Sequence, residues 1–578
     1  MHGQTSQTSQ TNGRLGPQER ADSWAALDGG YVDVLVVGGG VTGAGVALDA
    51  ATRGLSVALV EARDLASGTS SRSSKLFHGG LRYLEMLDFA LVREALHERD
   101  LLLTKLAPHL VTPVQFLYPL VRRFWERPYI GAGLLLYDAL AGRSPMPRHR
   151  HLSRTTALAR CPGLRPDALV GALTYFDAST DDARHTLMVA RTAALHGAII
   201  RPSTAVEALV KQDGRITGAR LRDVDTGEVI SVRAGVVIGC TGVWSDDLHR
   251  MAGVPSPFKV RASKGVHLLV RREAIESETG LILRAGKSVL FVVPWGEHWV
   301  VGTTDTPWDL ELEHPAATRA DIDYILGHLN RVLQRPLTDD DVVGVYAGLR
   351  PLLEPGDEQG KSTTTLSREH QVAHPLPGLV SIAGGKYTTY RVMAQDAVDE
   401  AARDLAAEVP ACVTDAVPLL GALGHAAARS RLSTISGWSG VPVQTLERML
   451  GRYGDQIEEV LEPVRADLTL AQAVPGAPQH VMAEFLYGVT HEGALHLDDL
   501  LARRTRISVD TSHRGVDSAR AVAAAVAKVL EWSDHDVERE VDAYLKRVEQ
   551  ERASQTEGSD AAAQLTRSSA PDLRAPTG

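Results

Sequence analysis

The sequence predicts an α/β protein: a nucleotide-binding parallel sheet, a β-rich domain interleaved with it, and a helical domain appended at the end. Three observations carry this. A strand–turn–helix–strand unit spans Val32 to Glu61, two later apolar runs break into glycines as the first strand does, and beyond about Ala401 the texture becomes helical with Ala, Leu and Arg.

In the first unit, Val34 to Val37 is a short apolar run that breaks into Gly38-x-Gly40-x-x-Gly43, and Thr42 to Arg53 reads as a helix closed by Gly54. A second apolar run, Val57 to Val60, ends at Glu61. Gly38 permits the tight turn, Gly40 a close approach of backbone to pyrophosphate, and Gly43 close packing of helix on strand. The first helical turn offers N–H groups to phosphate, and Glu61 can accept from ribose hydroxyls. The unit therefore predicts a dinucleotide site.

Apolar residues recur at helical spacing from about Phe89 to Leu106. From Val206 to Val232 alternating runs are joined by hairpin turns at Asp213-Gly214 and Thr226-Gly227. Val236 to Ile238, leading into Cys240-Thr241-Gly242, reads as a central parallel strand. SVLFVVPWGEHWVVGTTD predicts a hairpin turning at Trp295-Gly296-Glu297, and LVSIAGGKYTTY (379–390) another buried strand that ends in glycines. Ser533 caps a last helix in which Val537, Val541, Tyr544, Leu545 and Val548 share a face. No internal repeat is evident. Residues 1–25 and 551–578, rich in Ser, Thr, Gln, Gly, Ala and Pro, read as disordered tails.

With 578 residues, 44% apolar and 23% charged, the chain has the composition of a soluble protein of two or three domains. A net charge of −10 argues against a nucleic-acid partner, so an anionic substrate must be held by a local cluster of Arg and Lys. Cys161, Cys240 and Cys412 are odd in number and far apart; they suggest neither disulfides nor a metal site, and read as buried small side chains in a reducing compartment. The polar N-terminus is not a secretion signal and no apolar run approaches membrane-spanning length. The expected location is cytoplasmic, at most peripheral on a membrane.

Several non-adjacent segments thus return to one sheet, an arrangement suited to enzymes that bury a flavin between two domains. The segment ASGTSSRSSKLFHGGLRYLE (66–85), with GVW (242–244), SKGVH (263–267), GTTDT (302–306), YAGLRPLL (346–353), AGGKYTTYR (383–391) and EGALHLDDLLARRTR (492–506), resembles the FAD-dependent glycerol-3-phosphate dehydrogenases, in their actinobacterial form. The likeness runs from about Tyr31 to Lys546; Cys240 stands where such enzymes usually have Ala. The resemblance implies an FAD-binding Rossmann-like fold of the glutathione-reductase/D-amino-acid-oxidase type. Its oxidoreductase region would span 31–400, with FAD-binding segments at about 31–85, 175–260 and 375–400, substrate-domain segments at about 86–174 and 261–374, and a helical domain at 405–550.

The implied substrate, sn-glycerol 3-phosphate, has a dianionic phosphate and a C2 alcohol whose hydride passes to flavin N5, giving dihydroxyacetone phosphate. Arg82 and Arg350 match positions that bind this substrate, and the planar Arg fork suits phosphate. Tyr83 adds a hydroxyl donor. His267 has the chemistry of a base for the C2 hydroxyl, as has Lys386, which could instead neutralise reduced flavin or contact substrate oxygens. Thr69, Ser70 and Ser74 are expected on the pyrophosphate or flavin ring, Gly242, Gly385 and Thr388 beside the cofactor, and the main chain near Val206 on adenine. The loop 302–306 either shapes the active-site wall or is ordinary hairpin-end chemistry. Family members pass electrons to a membrane quinone, menaquinone or ubiquinone, while related oxidases use oxygen and release peroxide. A quinone-linked enzyme would dock on the inner face of the cytoplasmic membrane, and a homodimer is compatible. The docking segment is expected at Val121 to Arg143, where Arg122, Arg123, Arg127 and Arg143 surround Phe124, Trp125, Tyr129 and Ile130, unless that segment is core. A flavin-binding RNA-modifying or interaction protein is the reading from another class.

Overall fold

The computed structural model describes residues 12–122, 124–285, 288–354 and 369–574, the side chains of Arg82 and Glu85 excepted. Two large sheets organise it. In the first, the strands Tyr31–Val37, Val57–Val60, Ile199–Arg201, Val229–Gly239 and Leu379–Gly384 run parallel, with Tyr31–Val37 between Val57–Val60 and Val229–Gly239. Alternate side chains of the central strand serve opposite faces. Val34 and Val36 pack with the helices Val41–Thr52, Asp182–Leu195 and Tyr390–Ala401, whereas Leu35 and Val37 join Ile216, Leu221 and Val237 on the other side. Burial on both faces explains why these strands read as continuous apolar runs. The expected turns are present: Asp213 and Gly214 both take positive φ, 49° and 80°, between two antiparallel strands.

Among the described residues the second sheet has ten strands, including Thr112–Leu120, Gly171–Ser179, Val260–Arg271, the hairpin Ser288–Trp295/His298–Gly302, and Val342–Leu353, which there pairs with Val260–Arg271 alone. Its strands refine the interleaving. Gly171–Ser179 lies wholly in this sheet, so a division at 174/175 would cut a strand, and His370–Leu376 pairs with the first sheet and not the second. Hydrogen-bond pairing places these strands, which periodicity cannot do.

Both tail expectations are corrected. Pro17–Leu27 is a helix; Leu15 N–H donates to the His491 carbonyl at 3.0 Å, and Arg20 pairs with Asp223 at 2.6 Å. At the other end, a Ser559-capped helix covers Asp560–Ser568, Asp572 pairs with Arg63 at 2.8 Å, and Arg574 is buried against Asp499 at 2.7 Å. Polar composition predicted disorder, but ion pairs with residues between 75 and 509 positions away hold both segments. Residues 1–11 and 575–578 lie outside the described residues. Cys161 and Cys240 are buried as expected; Cys412 is only partly so, lying 3.1 Å from Thr414 Oγ1.

Among the described residues no helix is long and apolar enough to cross a membrane. The Val121–Arg143 segment forms the helix Glu126–Ala141, and it is divided: Ile130, Leu134 and Tyr137 are buried, whereas Phe124 is 89% exposed and Val121, Trp125, Tyr129 and Leu135 are exposed beside it. Arg122 lies 5.4 Å over the Trp125 ring; Arg123 is outside the described residues.

Candidate active site

The nucleotide end is built where the central strand stops. Gly38 has φ +111°, and a Cβ there would lie 2.6 Å from the Cys240 carbonyl oxygen; a Cβ on Gly43 would lie 1.9 Å from that of Gly38. Gly40 is the N-cap of Val41–Thr52 and brings no side-chain cap, and an added Cβ would meet only Ser70 Oγ, at 3.2 Å. The Glu61 carboxylate accepts from the Gly39 N–H at 2.6 Å and the Arg63 N–H at 2.9 Å; burial pushes its pKa up and these two N–H groups oppose the push. A bare helix N-terminus beside a fixed carboxylate is the donor and acceptor set that a pyrophosphate and a ribose require, so these residues fit FAD. The Thr204 N–H donates to the Glu61 carbonyl at 2.8 Å, which holds the start of Val206's strand against this end. Gly242 has φ +56° with open space around an added Cβ, so backbone conformation rather than crowding by protein atoms requires glycine there.

The three hydroxyls of the following loop have protein partners. Thr69 donates to the Leu349 carbonyl at 2.6 Å, Ser70 Oγ accepts from the Val41 N–H at 2.9 Å, and Ser74 Oγ lies 2.8 Å from His267 Nε2. The loop thus joins the helix N-terminus to both substrate-sheet strands.

On those strands Ser263 faces Arg350, Gly265 faces Gly348 and His267 faces Tyr346, so His267, Tyr346 and Arg350 share one sheet face. The Arg350 fork lies across Gly265, where a Cβ would come within 2.4 Å of Nη2. Nη2 donates to Thr303 Oγ1 at 2.9 Å, Nη1 to the Thr304 carbonyl at 3.3 Å, and Asp305 lies 3.6 Å away. The 302–306 loop therefore positions Arg350, a role that sequence alone could not separate from turn chemistry. The His267 ring stacks on Tyr346 with centroids 4.9 Å apart, is 2% exposed, and its Nδ1 has no hydrogen-bond partner among the described residues. Burial, then the charges of Arg350 and Lys75, hold its pKa well below the ordinary value, so the imidazole is neutral at physiological pH.

A third group closes the site. Gly384 and Gly385, at φ 77° and 82°, turn the chain from its strand into Lys386. Its Nζ lies 3.7 Å over the Tyr83 ring and 3.5 Å from the Gly79 carbonyl, while Thr388 Oγ1 accepts from the His78 N–H at 3.2 Å. Tyr83 thus offers its ring to Lys386. Arg82 stands on the same short helix, Leu81–Glu85, with its side chain outside the described residues. His78 neighbours Phe291 at 6.2 Å, and Phe291 faces Gly302, which also faces His267. Sequence reading missed Tyr346, because a lone strand tyrosine reads as core, and Lys75, whose Nζ pairs with Asp182 at 2.7 Å and lies 5.2 Å over the Tyr346 ring.

Residues 33–391 match the FAD dependent oxidoreductase family and 412–537 the C-terminal domain of alpha-glycerophosphate oxidase. The chain is 54% identical over 561 residues to glycerol-3-phosphate dehydrogenase 2 of Mycobacterium tuberculosis, covering 97% of this chain and 95% of that protein. It is 36% identical over 536 residues to the mitochondrial glycerol-3-phosphate dehydrogenase of Bos taurus, covering 89% and 72%. The crystal structure of the Bacillus halodurans glycerol-3-phosphate dehydrogenase complexed with FAD superposes with a TM-score of 0.75 at 29% identity, covering 93% and 98%. The chain is an FAD-dependent oxidoreductase and belongs to the glycerol-3-phosphate dehydrogenase family.

Proposed function

We propose that the chain oxidises sn-glycerol 3-phosphate to dihydroxyacetone phosphate and delivers the electrons to a membrane quinone. The observation that carries the reading is the single sheet face on which a neutral, buried His267 and a cationic Arg350 stand either side of the Gly265–Gly348 pair. When bound, FAD would supply the electron sink for the C2 hydride. The Arg350 fork, with Arg82, holds the phosphate and so fixes C2 relative to His267. If Nε2–H donates to Ser74, Nδ1 keeps the lone pair that takes the C2 hydroxyl proton as the C2–H bond breaks. Lys386, held over Tyr83, is the positive charge next to this chemistry and the alternative proton acceptor. Glu61, the glycine loop, Ser70, Gly242 and Thr388 frame the cofactor, and the strand at Val206 lies toward its adenine.

The exposed Phe124–Trp125 surface supports a peripheral membrane position and hence a quinone acceptor. The match of 412–537 to an oxidase domain favours a second reading, in which oxygen is the acceptor. Turnover of glycerol 3-phosphate by the FAD-loaded protein, with a quinone analogue under anaerobic conditions and separately with oxygen, decides between them. Quinone-dependent turnover without stoichiometric peroxide is expected; peroxide formed one-for-one with product would make the chain an oxidase.

A further inference from the structure

A cavity of about 170 Å³ lies beside the edge strand Val342–Leu353, between the loop Arg63–Arg72, the segment 314–317 and the helical domain. Neither the glycine loop nor Glu61, His267, Arg350 or Lys386 lines it. Among the described residues its wall holds seven arginines and four carboxylates, and Arg503, Arg506 and Arg574 find further carboxylates behind the wall, in Asp64, Asp182 and Asp499. The wall's own carboxylates are already shared. Asp572 serves Arg63 at 2.8 Å and His314 at 3.0 Å; Asp498 serves Arg503 at 2.9 Å and Arg547 at 3.1 Å. Glu551 serves Arg547 at 2.6 Å and reaches Arg567 only at 3.3 Å, and Glu540 is taken by His496 at 2.9 Å.

Arg72 is left over. It has no carboxylate within 4 Å among the described residues and makes one long bond, 3.5 Å, to the Glu313 carbonyl. Burial and the nearby positive charges of Arg567 and Arg503 pull its pKa down to about 10. Arg567, 7% exposed, has its pKa lowered too, first by burial. Of the wall's arginines Arg72 alone, among the described residues, has no carboxylate within 4 Å, and a cation held without counter-charge in a concave, partly dry space is stabilised when an anion joins it.

We propose that this cavity binds a phosphate dianion, free or as the head of a small monoester, held by Arg72 and Arg567. The guanidinium fork suits two phosphate oxygens at once, and the volume admits phosphate with a few further atoms. Because Arg72 belongs to the loop that carries Thr69, Ser70 and Ser74, and Arg567 to the last helix, the anion joins the chain's C-terminal segment to the loop beside the cofactor. Arg350 does not line this cavity, but Tyr346, on which His267 stacks, does, so the anion would sit behind the wall of the proposed reaction site.

The test is calorimetric titration of the FAD-loaded protein with inorganic phosphate, and in a second arm phenyl phosphate, against chloride at matched ionic strength. Binding that survives Arg350→Gln and weakens roughly ten-fold or more in Arg567→Gln, the scale of a lost charged hydrogen bond, is expected. FAD content and thermal midpoint without phosphate check the fold of Arg567→Gln, and Arg72→Gln gives an independent second variant. Tighter binding of one arm identifies the free ion or the ester as the occupant. The proposal is overturned if phosphate shows no heat beyond chloride, or if Arg350→Gln abolishes binding while Arg567→Gln and Arg72→Gln leave it unchanged.

Discussion

Arg350 and His267 act from one face under opposite demands. Arg350 must keep both its charge and its planar fork, since Thr303 Oγ1 and the Thr304 carbonyl already aim it. Arg350→Lys keeps the charge and loses the fork, so the KM for glycerol 3-phosphate should rise roughly ten- to a hundred-fold, about 1.5–3 kcal/mol, with FAD content unchanged. Steady-state kinetics on the loaded variant checks this, and an unaltered KM removes Arg350 from the phosphate site. His267, by contrast, must stay uncharged. His267→Ala should slow anaerobic flavin reduction by substrate roughly a hundred-fold or more while leaving reoxidation by quinone alone. Its depressed pKa adds a sign: the acidic limb of the wild-type reduction rate should fall below pH 6.5, the ordinary histidine value. Wild-type reduction in the mutant would move the proton to Lys386.

At the scale of an element, the segment from Val121 through the helix Glu126–Ala141 has one buried and one exposed side. Its buried side, Ile130, Leu134 and Tyr137, packs with Val92, Leu96 and Tyr175, while Phe124, Trp125 and Tyr129 stand outward near Arg122. Aromatic side chains with basic neighbours suit a headgroup interface. Exchanging Phe124 and Trp125 for Ser should lower both sedimentation with anionic liposomes and quinone-linked turnover, and spare turnover with a soluble dye. Because these side chains are exposed, the thermal midpoint should hardly move. Wild-type binding should fall partly, not wholly, as salt rises, since screening weakens only the charged contribution. Equal loss of dye-linked activity would count against the surface role.

For the whole molecule, buried charge sets the pH window. Burial lowers His109 and His185 to about 3 and His480 to about 4, and lowers His267 as well. Unfolded histidines bind protons below about pH 6.5 whereas these folded ones do not, so their contribution to stability is intact above 6.5 and lost as pH falls below it. Glu459, lowered to about 2 despite burial because His491 and Tyr487 hold its carboxylate, adds a loss in the same direction at lower pH. His496 has the opposite sign: Asp225 and Glu540 raise it to about 9 against burial, so its contribution is present below 6.5 and lost as pH rises toward 9. Thermal midpoints measured across pH should therefore peak near neutrality, with a steeper acid side where several groups act together. A midpoint that stayed flat from pH 7 to 5 would contradict the buried-histidine account.

Local chemistry determined much of this. The glycine spacing, the apolar parallel strands, the hairpins at Asp213-Gly214 and Trp295-Gly296, and the cap at Ser533 are each written within about thirty consecutive residues, because turns, caps and periodicity depend on neighbours in the chain. Motif resemblance likewise brought His267, Arg350 and Lys386 forward one by one. Their arrangement was decided only in three dimensions. That His267 and Arg350 share a face follows from an antiparallel register between strands 80 residues apart, and that Tyr83 carries Lys386 follows from the packing of segments more than 300 apart. The ordered ends were invisible for the same reason. Arg20 finds Asp223, and Arg574 finds Asp499, through ion pairs whose partners no local window contains. Composition reports the cost of burying a segment, but only the tertiary structure supplies the counter-charge that makes burial stable.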